Sequence, residues 1–85
     1  MAKTMTFHDL QQRLVDELRL RVRSGAATER GLARLSGISQ PHLHHVLKGK
    51  RTFSIEKSDE VLRRLQIDVL QLILMDELRE PSRRR

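Results

Sequence analysis

His42, His44 and His45 stand close together in the chain, preceded by Gln40-Pro41 and followed by Lys48, Lys50 and Arg51. Histidine can ligate a metal, move a proton or hydrogen-bond through either ring nitrogen, so the cluster admits three chemistries. Metal ligation fits poorly. Adjacent histidines on a helix point about 100° apart, and only His42 and His45 form an i,i+3 pair. The chain has no cysteine, and no carboxylate is expected on that face, so neither a metal nor another cofactor is expected. Catalysis fits no better, because there is no Ser/His/Asp arrangement, no phosphate-cradling glycine loop and no paired acid cluster in a plausible pocket. The chain does not read as an enzyme. What remains is hydrogen-bonding recognition by a polar, basic strip.

The charge distribution says what that strip could recognise. Lys and Arg total 17 against 11 Asp and Glu, a formal charge of +6 and a sequence pI of about 11.1. That balance attracts polyanions such as nucleic acid or an anionic membrane. Residues 28–53 hold five basic groups and one acid, residues 54–80 hold four and seven, and residues 81–85 hold three and none. The histidine segment is thus basic while the segment after it is acidic. With 85 residues the expectation is one small domain over 1–80 and a basic, disordered tail at 81–85. No apolar run approaches the ~20 residues a bilayer span needs, and the N-terminus lacks the apolar stretch of a secretory signal. The expectation is a soluble, cytoplasmic protein with no membrane partner.

Helical periodicity supplies the elements that would hold the strip. Thr6 and Asp9 make a capping box ahead of Phe7, Leu10, Leu14, Leu18 and Val22, which predicts a helix over about 7–23. Its other faces carry Gln11, Gln12, Arg13, Asp16, Glu17, Arg19 and Arg23, the complement of a solvated surface. Thr28 can cap a short second helix containing Leu32, Ala33 and Leu35, stopped by Gly37. Ser39 can cap a third with Pro41 in its first turn, ending at Lys48-Gly49. Ser54 opens a fourth with Ile55, Val61, Leu62 and Leu65 inward, and Asp68 with Gln71 opens a fifth that ends near Pro81. Between the second and third helices the spacing is specific. Ala33 lies where the two would cross, Ile38 plugs the turn, and Leu43 with Val46 face back onto Leu32 and Ala33. Positions 40, 41, 44, 45 and 48 are then left pointing outward.

In order and spacing, Leu32-Ala33, Ser36-Gly37-Ile38-Ser39-Gln40, Leu47-Lys48-Gly49-Lys50-Arg51 and Leu65-Gln66-Ile67 resemble the lambda-repressor-like (Cro/repressor-type) helix-turn-helix family. The resemblance covers about residues 7–73. It implies an all-α, compact five-helix DNA-binding domain whose helix-turn-helix, about 28–49, is formed by helices 2 and 3. The third helix would enter the major groove while the second crosses the phosphate backbone. Base reading then falls to Gln40, Pro41, His42, His44 and His45. Gln40 suits adenine, and the histidines can donate to guanine or phosphate. Phosphate contacts fall to Thr28, Arg30, Arg34, Ser39, Lys48, Lys50, Arg51 and Thr52. Two departures from the family pattern matter: Glu29 replaces a common glutamine and sets an anion near phosphate, and Pro41 can make only apolar contact.

The resulting expectation is a sequence-specific regulator of transcription, a repressor, bound to double-stranded DNA as a homodimer on a palindromic operator. The fifth helix is apolar in nearly all directions, and Leu70, Ile73, Leu74 and Leu78 are its expected dimer contacts. Helix one with Met1 to Met5 is the other candidate interface. The competing reading is an antitoxin or accessory module that uses the same apolar helix to hold a protein partner.

Overall fold

Each helix begins where the sequence places a side-chain oxygen opposite the otherwise unpaired first amides. In the computed structural model, which describes residues 5–79, the helices are α1 (Phe7–Arg23), α2 (Glu29–Ser36), α3 (Gln40–Leu47), α4 (Ile55–Arg64) and α5 (Val69–Arg79). No strand occurs among the described residues. The Thr6, Thr28, Ser39 and Ser54 hydroxyls accept from the amides of Asp9, Gly31, His42 and Lys57 at 3.1, 3.0, 3.3 and 3.0 Å. Asp9 returns a bond to the Thr6 amide at 3.1 Å, completing the capping box. At α5 the Asp68 amide donates to Gln71 Oε1 at 3.3 Å, and Asp68 Oδ1 accepts from the Leu70 amide at 3.1 Å.

Helix ends are as local as the starts. Gly37 takes φ 77°, which lets its own amide and that of Ile38 both donate to the Ala33 carbonyl, at 3.0 and 3.1 Å. The end of α4 makes the same kind of reversal with Gln66 at φ 56°, as the Ile67 amide reaches the Leu62 carbonyl at 2.9 Å. A side chain in this region costs roughly 1–2 kcal/mol, which glycine avoids while losing more backbone entropy on folding. Gln66→Gly should therefore stabilise the fold by about 0.5–1 kcal/mol, raising the thermal midpoint by a few degrees. An unchanged or lower midpoint in a calorimetric scan would show that the Gln66 side chain offsets its backbone strain.

In the core α1 packs against both α3 and α5, and α2 packs against α3 and α4. Leu14 and Leu18 of α1, Leu43 and Val46 of α3, and Val61 of α4 are its most buried large side chains. Phe53, in the segment between α3 and α4, joins them at 3 % exposure, and Leu72 of α5 is buried too. Several residues lie elsewhere than their helical pattern predicts. Phe7 and Ile55, each the first residue of its helix, are 73 % and 63 % exposed and rim an apolar groove floored by Leu10, Leu14, Leu62 and Leu72. Leu35 is likewise turned outward, because α2 buries only the side carrying Leu32, Ala33 and Ser36. Conversely, Glu17 is buried on α1, its carboxylate accepting from Arg21 Nε at 3.0 Å one turn on.

Candidate nucleic-acid interface

The short α3 is held by one side and open on the other. Leu43 and Val46 are each 1 % exposed and pack with Leu32, Ala33 and Ile38. Gln40, Pro41, His45 and Lys48 are left exposed, as the three-to-four-residue spacing requires. The cap oxygens of Thr28 and Ser39 each accept an amide, so their hydroxyl hydrogens remain able to donate outward, for instance to a phosphate oxygen.

Beyond α3 the chain is pinned at both ends of a short basic loop. Gly49, at φ 84°, turns the backbone so that the Lys50 and Arg51 amides both donate to the His45 carbonyl, at 2.9 and 3.3 Å. At the far end the buried Phe53 anchors the loop, its carbonyl accepting from Gln11 Nε2 at 3.0 Å while the same amide nitrogen donates to Ser58 Oγ at 3.1 Å. Lys50, Arg51 and Thr52 are thereby presented together as an exposed row. The half-buried His42 leans toward the loop. Its ring lies 6.0 Å from the Phe53 ring, centre to centre, and lines a shallow depression with Gly49, Lys50, Arg51 and Thr52.

Arg19 of α1 supports the other side of the loop. Its Nε donates to the Leu47 carbonyl at 2.8 Å, and its Nη1 to Asp16 Oδ1 at 3.1 Å. A guanidinium at the last carbonyls of α3 both satisfies an orphan acceptor and complements the negative end of the helix dipole. Glu29, the expected misfit, reaches across from the start of α2: both of its oxygens lie within 3.1–3.3 Å of His44 Nδ1. The absence of a carboxylate near the histidines, expected from α3 alone, is thus corrected by a neighbouring helix. Among the described residues no group of three or more His, Cys, Asp or Glu is placed to hold a metal.

No family model, curated protein or solved structure matches the chain. The surface has to be judged on its own chemistry, and ion pairing separates its cations from most others. Arg19, Arg21, Arg63 and Arg64 each sit within 4 Å of an acid on their own helix. Arg30 and Arg34 on α2, Lys48 at the end of α3, and Lys50 with Arg51 in the loop are exposed and make no ion pair among the described residues. Arg23 and Lys57 share that condition, and Arg23 borders the same region, lining a depression with Arg19, Glu29, Leu47 and Lys48. Exposed cations that no acid among the described residues engages, on α2 and at the end of α3, are equipped to neutralise phosphates.

Sequence reasoning missed Arg19, Gln11 and the Glu29–His44 contact. Arg19 and Gln11 occupy the polar side of α1 and look like solvated residues there. Phe53 carried a usable signal, being an aromatic residue isolated in a basic loop, where burial is the ordinary reason for its presence.

On α5, Leu70 and Leu74 are exposed, Val69 partly so, and Ile73 is half-buried. The Leu78 side chain, residues Met1 to Thr4 and the 81–85 tail lie outside the described residues. No helix among the described residues is long and apolar enough to cross a membrane.

Proposed function

We propose that this chain is a sequence-specific double-stranded DNA-binding regulator of the lambda-repressor-like kind, a repressor, with α2 and α3 as its helix-turn-helix. The observation that carries this reading is the set of exposed cations with no ion pair among the described residues: Arg30 and Arg34 on α2, and Lys48, Lys50 and Arg51 directly after α3. In this reading α3 enters the major groove, Gln40 and His45 read base edges, and Pro41 meets an apolar group such as a thymine methyl. The Thr28, Ser39 and Thr52 hydroxyls join the cations on phosphates. His42, resting beside Phe53, reaches only bases or phosphates near the loop.

The division of labour between base and phosphate contacts is testable with two substitutions. Gln40→Ala should flatten sequence preference at one position of the site while leaving binding to random duplex nearly unchanged. Lys50→Ala should weaken all sequences alike and make the salt dependence shallower by about one unit of log–log slope. Equal effects of the two on every duplex, read by fluorescence anisotropy over a salt series, would contradict it.

The exposed Leu70 and Leu74 give α5 an apolar face that supports a dimer contact, as does the apolar groove rimmed by Phe7 and Ile55. A two-fold dimer would set two α3 helices on successive major grooves about 34 Å apart and make the operator a palindrome. The same face favours a second reading, an antitoxin or accessory module that holds another protein. A monomer by sedimentation at micromolar concentration, with no affinity for any duplex at low salt, would favour the second reading.

A further inference from the structure

We infer that Glu29 fixes the tautomer of His44 and thereby makes that histidine a hydrogen-bond acceptor toward DNA, selecting a base that presents an exocyclic amino group. The inference rests on the proposed docking of α3 in the major groove.

The chemistry follows from one contact. His44 Nδ1 lies 3.1 and 3.3 Å from the two carboxylate oxygens of Glu29. An ionised carboxylate can only accept, so Nδ1 must carry the hydrogen. In a neutral imidazole with Nδ1 protonated, Nε2 holds a lone pair and no hydrogen, and it lies on the opposite side of the ring from Glu29. The His44 side chain is 46 % exposed against 29 % for Glu29, so the ring retains an open edge. His45 is its nearest ring neighbour, edge-on at 5.8 Å between centres.

An acceptor at Nε2 changes what His44 can read. In that neutral form it cannot donate to guanine O6 or N7, nor to a phosphate oxygen, the roles open to a histidine whose tautomer is free. It can accept from the N4 amino group of cytosine or the N6 amino group of adenine, the donors displayed in the major groove. His45 makes no ion pair with a carboxylate among the described residues and keeps both options. Glu29 is therefore a positioning residue: it touches no base, and its anion, unfavourable beside phosphate, is engaged by the imidazole that it orients.

Two measurements on the full chain test this. The first is the pair of imidazole nitrogen chemical shifts of His44 by NMR at about pH 8, where an unperturbed imidazole is neutral. Nδ1 should appear protonated and Nε2 bare in the wild-type protein, and this preference should be lost in Glu29→Ala and reversed in Glu29→Lys, whose ammonium can only donate. Nε2 protonated in the wild type would overturn the inference without any variant.

The second is selection of bound duplexes from a random pool by the wild type and both variants. Cytosine or adenine should be enriched roughly tenfold at one position that also depends on His44. Glu29→Ala should lose that enrichment and Glu29→Lys should exchange it for guanine, with the other positions retained. A His44-dependent guanine in the wild type, unaffected at position 29, would overturn the base preference while leaving DNA binding intact. Failure to enrich any duplex would overturn the DNA-binding reading, and the base preference with it, whatever the tautomer.

Discussion

Alanine at Lys48, Lys50 and Arg51 together should weaken binding to every duplex by about a hundredfold at physiological salt and make the log–log salt dependence shallower by about 2.7. Each phosphate neutralised contributes about 0.9 to that slope, which between molar and physiological salt amounts to roughly fivefold in affinity per contact. The three side chains are exposed, have no acid partner among the described residues, and follow directly from the end of α3. Their removal should leave stability nearly unchanged, because none of them contributes to the core. What keeps the effect large is the rigidity of the loop. The His45 carbonyl binds the Lys50 and Arg51 amides, Arg19 holds the Leu47 carbonyl, and Phe53 is buried at the far end. Titrations of wild type and triple variant against one duplex, over a series of salt concentrations, measure both quantities. Sequence-dependent loss, or an unchanged slope, would mean that these cations do not face phosphates.

Leu43→Ala should act in the opposite manner, destroying the fold rather than the contact. Leu43 is 1 % exposed at the junction of α2 and α3, and truncating a buried leucine costs about 2–5 kcal/mol through lost transfer energy and the cavity left behind. A domain of this size has a total stability of only about 4–13 kcal/mol, so much of it, or all of it, would be removed. His45→Ala, two residues on and exposed, should shift the unfolding midpoint hardly at all while weakening DNA binding. Urea unfolding of the two variants side by side checks the contrast. Similar losses of stability would mean that His45, too, is part of the packing.

Local features of the fold could be read directly from the sequence. A cap needs only a hydroxyl and an amide three residues on, so Thr6, Thr28, Ser39 and Ser54 identify helix starts whatever the tertiary structure. The burial of Leu43 and Val46 follows similarly from their spacing. Features that depend on which helices meet could not be read. Arg19 and Leu47 are 28 residues apart, and nothing in the α1 pattern distinguishes a solvated arginine from one that caps another helix. Phe7 and Ile55 match the apolar period of their helices but lie at the end of the core, where no neighbour covers them. Glu29 is instructive because position alone made it a misfit beside phosphate. Only the juxtaposition of α2 and α3 pairs it with His44.

Mapping backbone amide NMR shifts while a random-sequence duplex is added at low salt tests the central claim most directly, since any duplex serves and no operator has to be identified first. The DNA-binding reading predicts perturbations at Thr28, Arg30 and Arg34, along Gln40 to Lys48, and at Lys50 to Thr52, with Phe7, Ile55, Leu70 and Leu74 unaffected. Perturbations centred on those four apolar residues, or none at any duplex concentration, would contradict it.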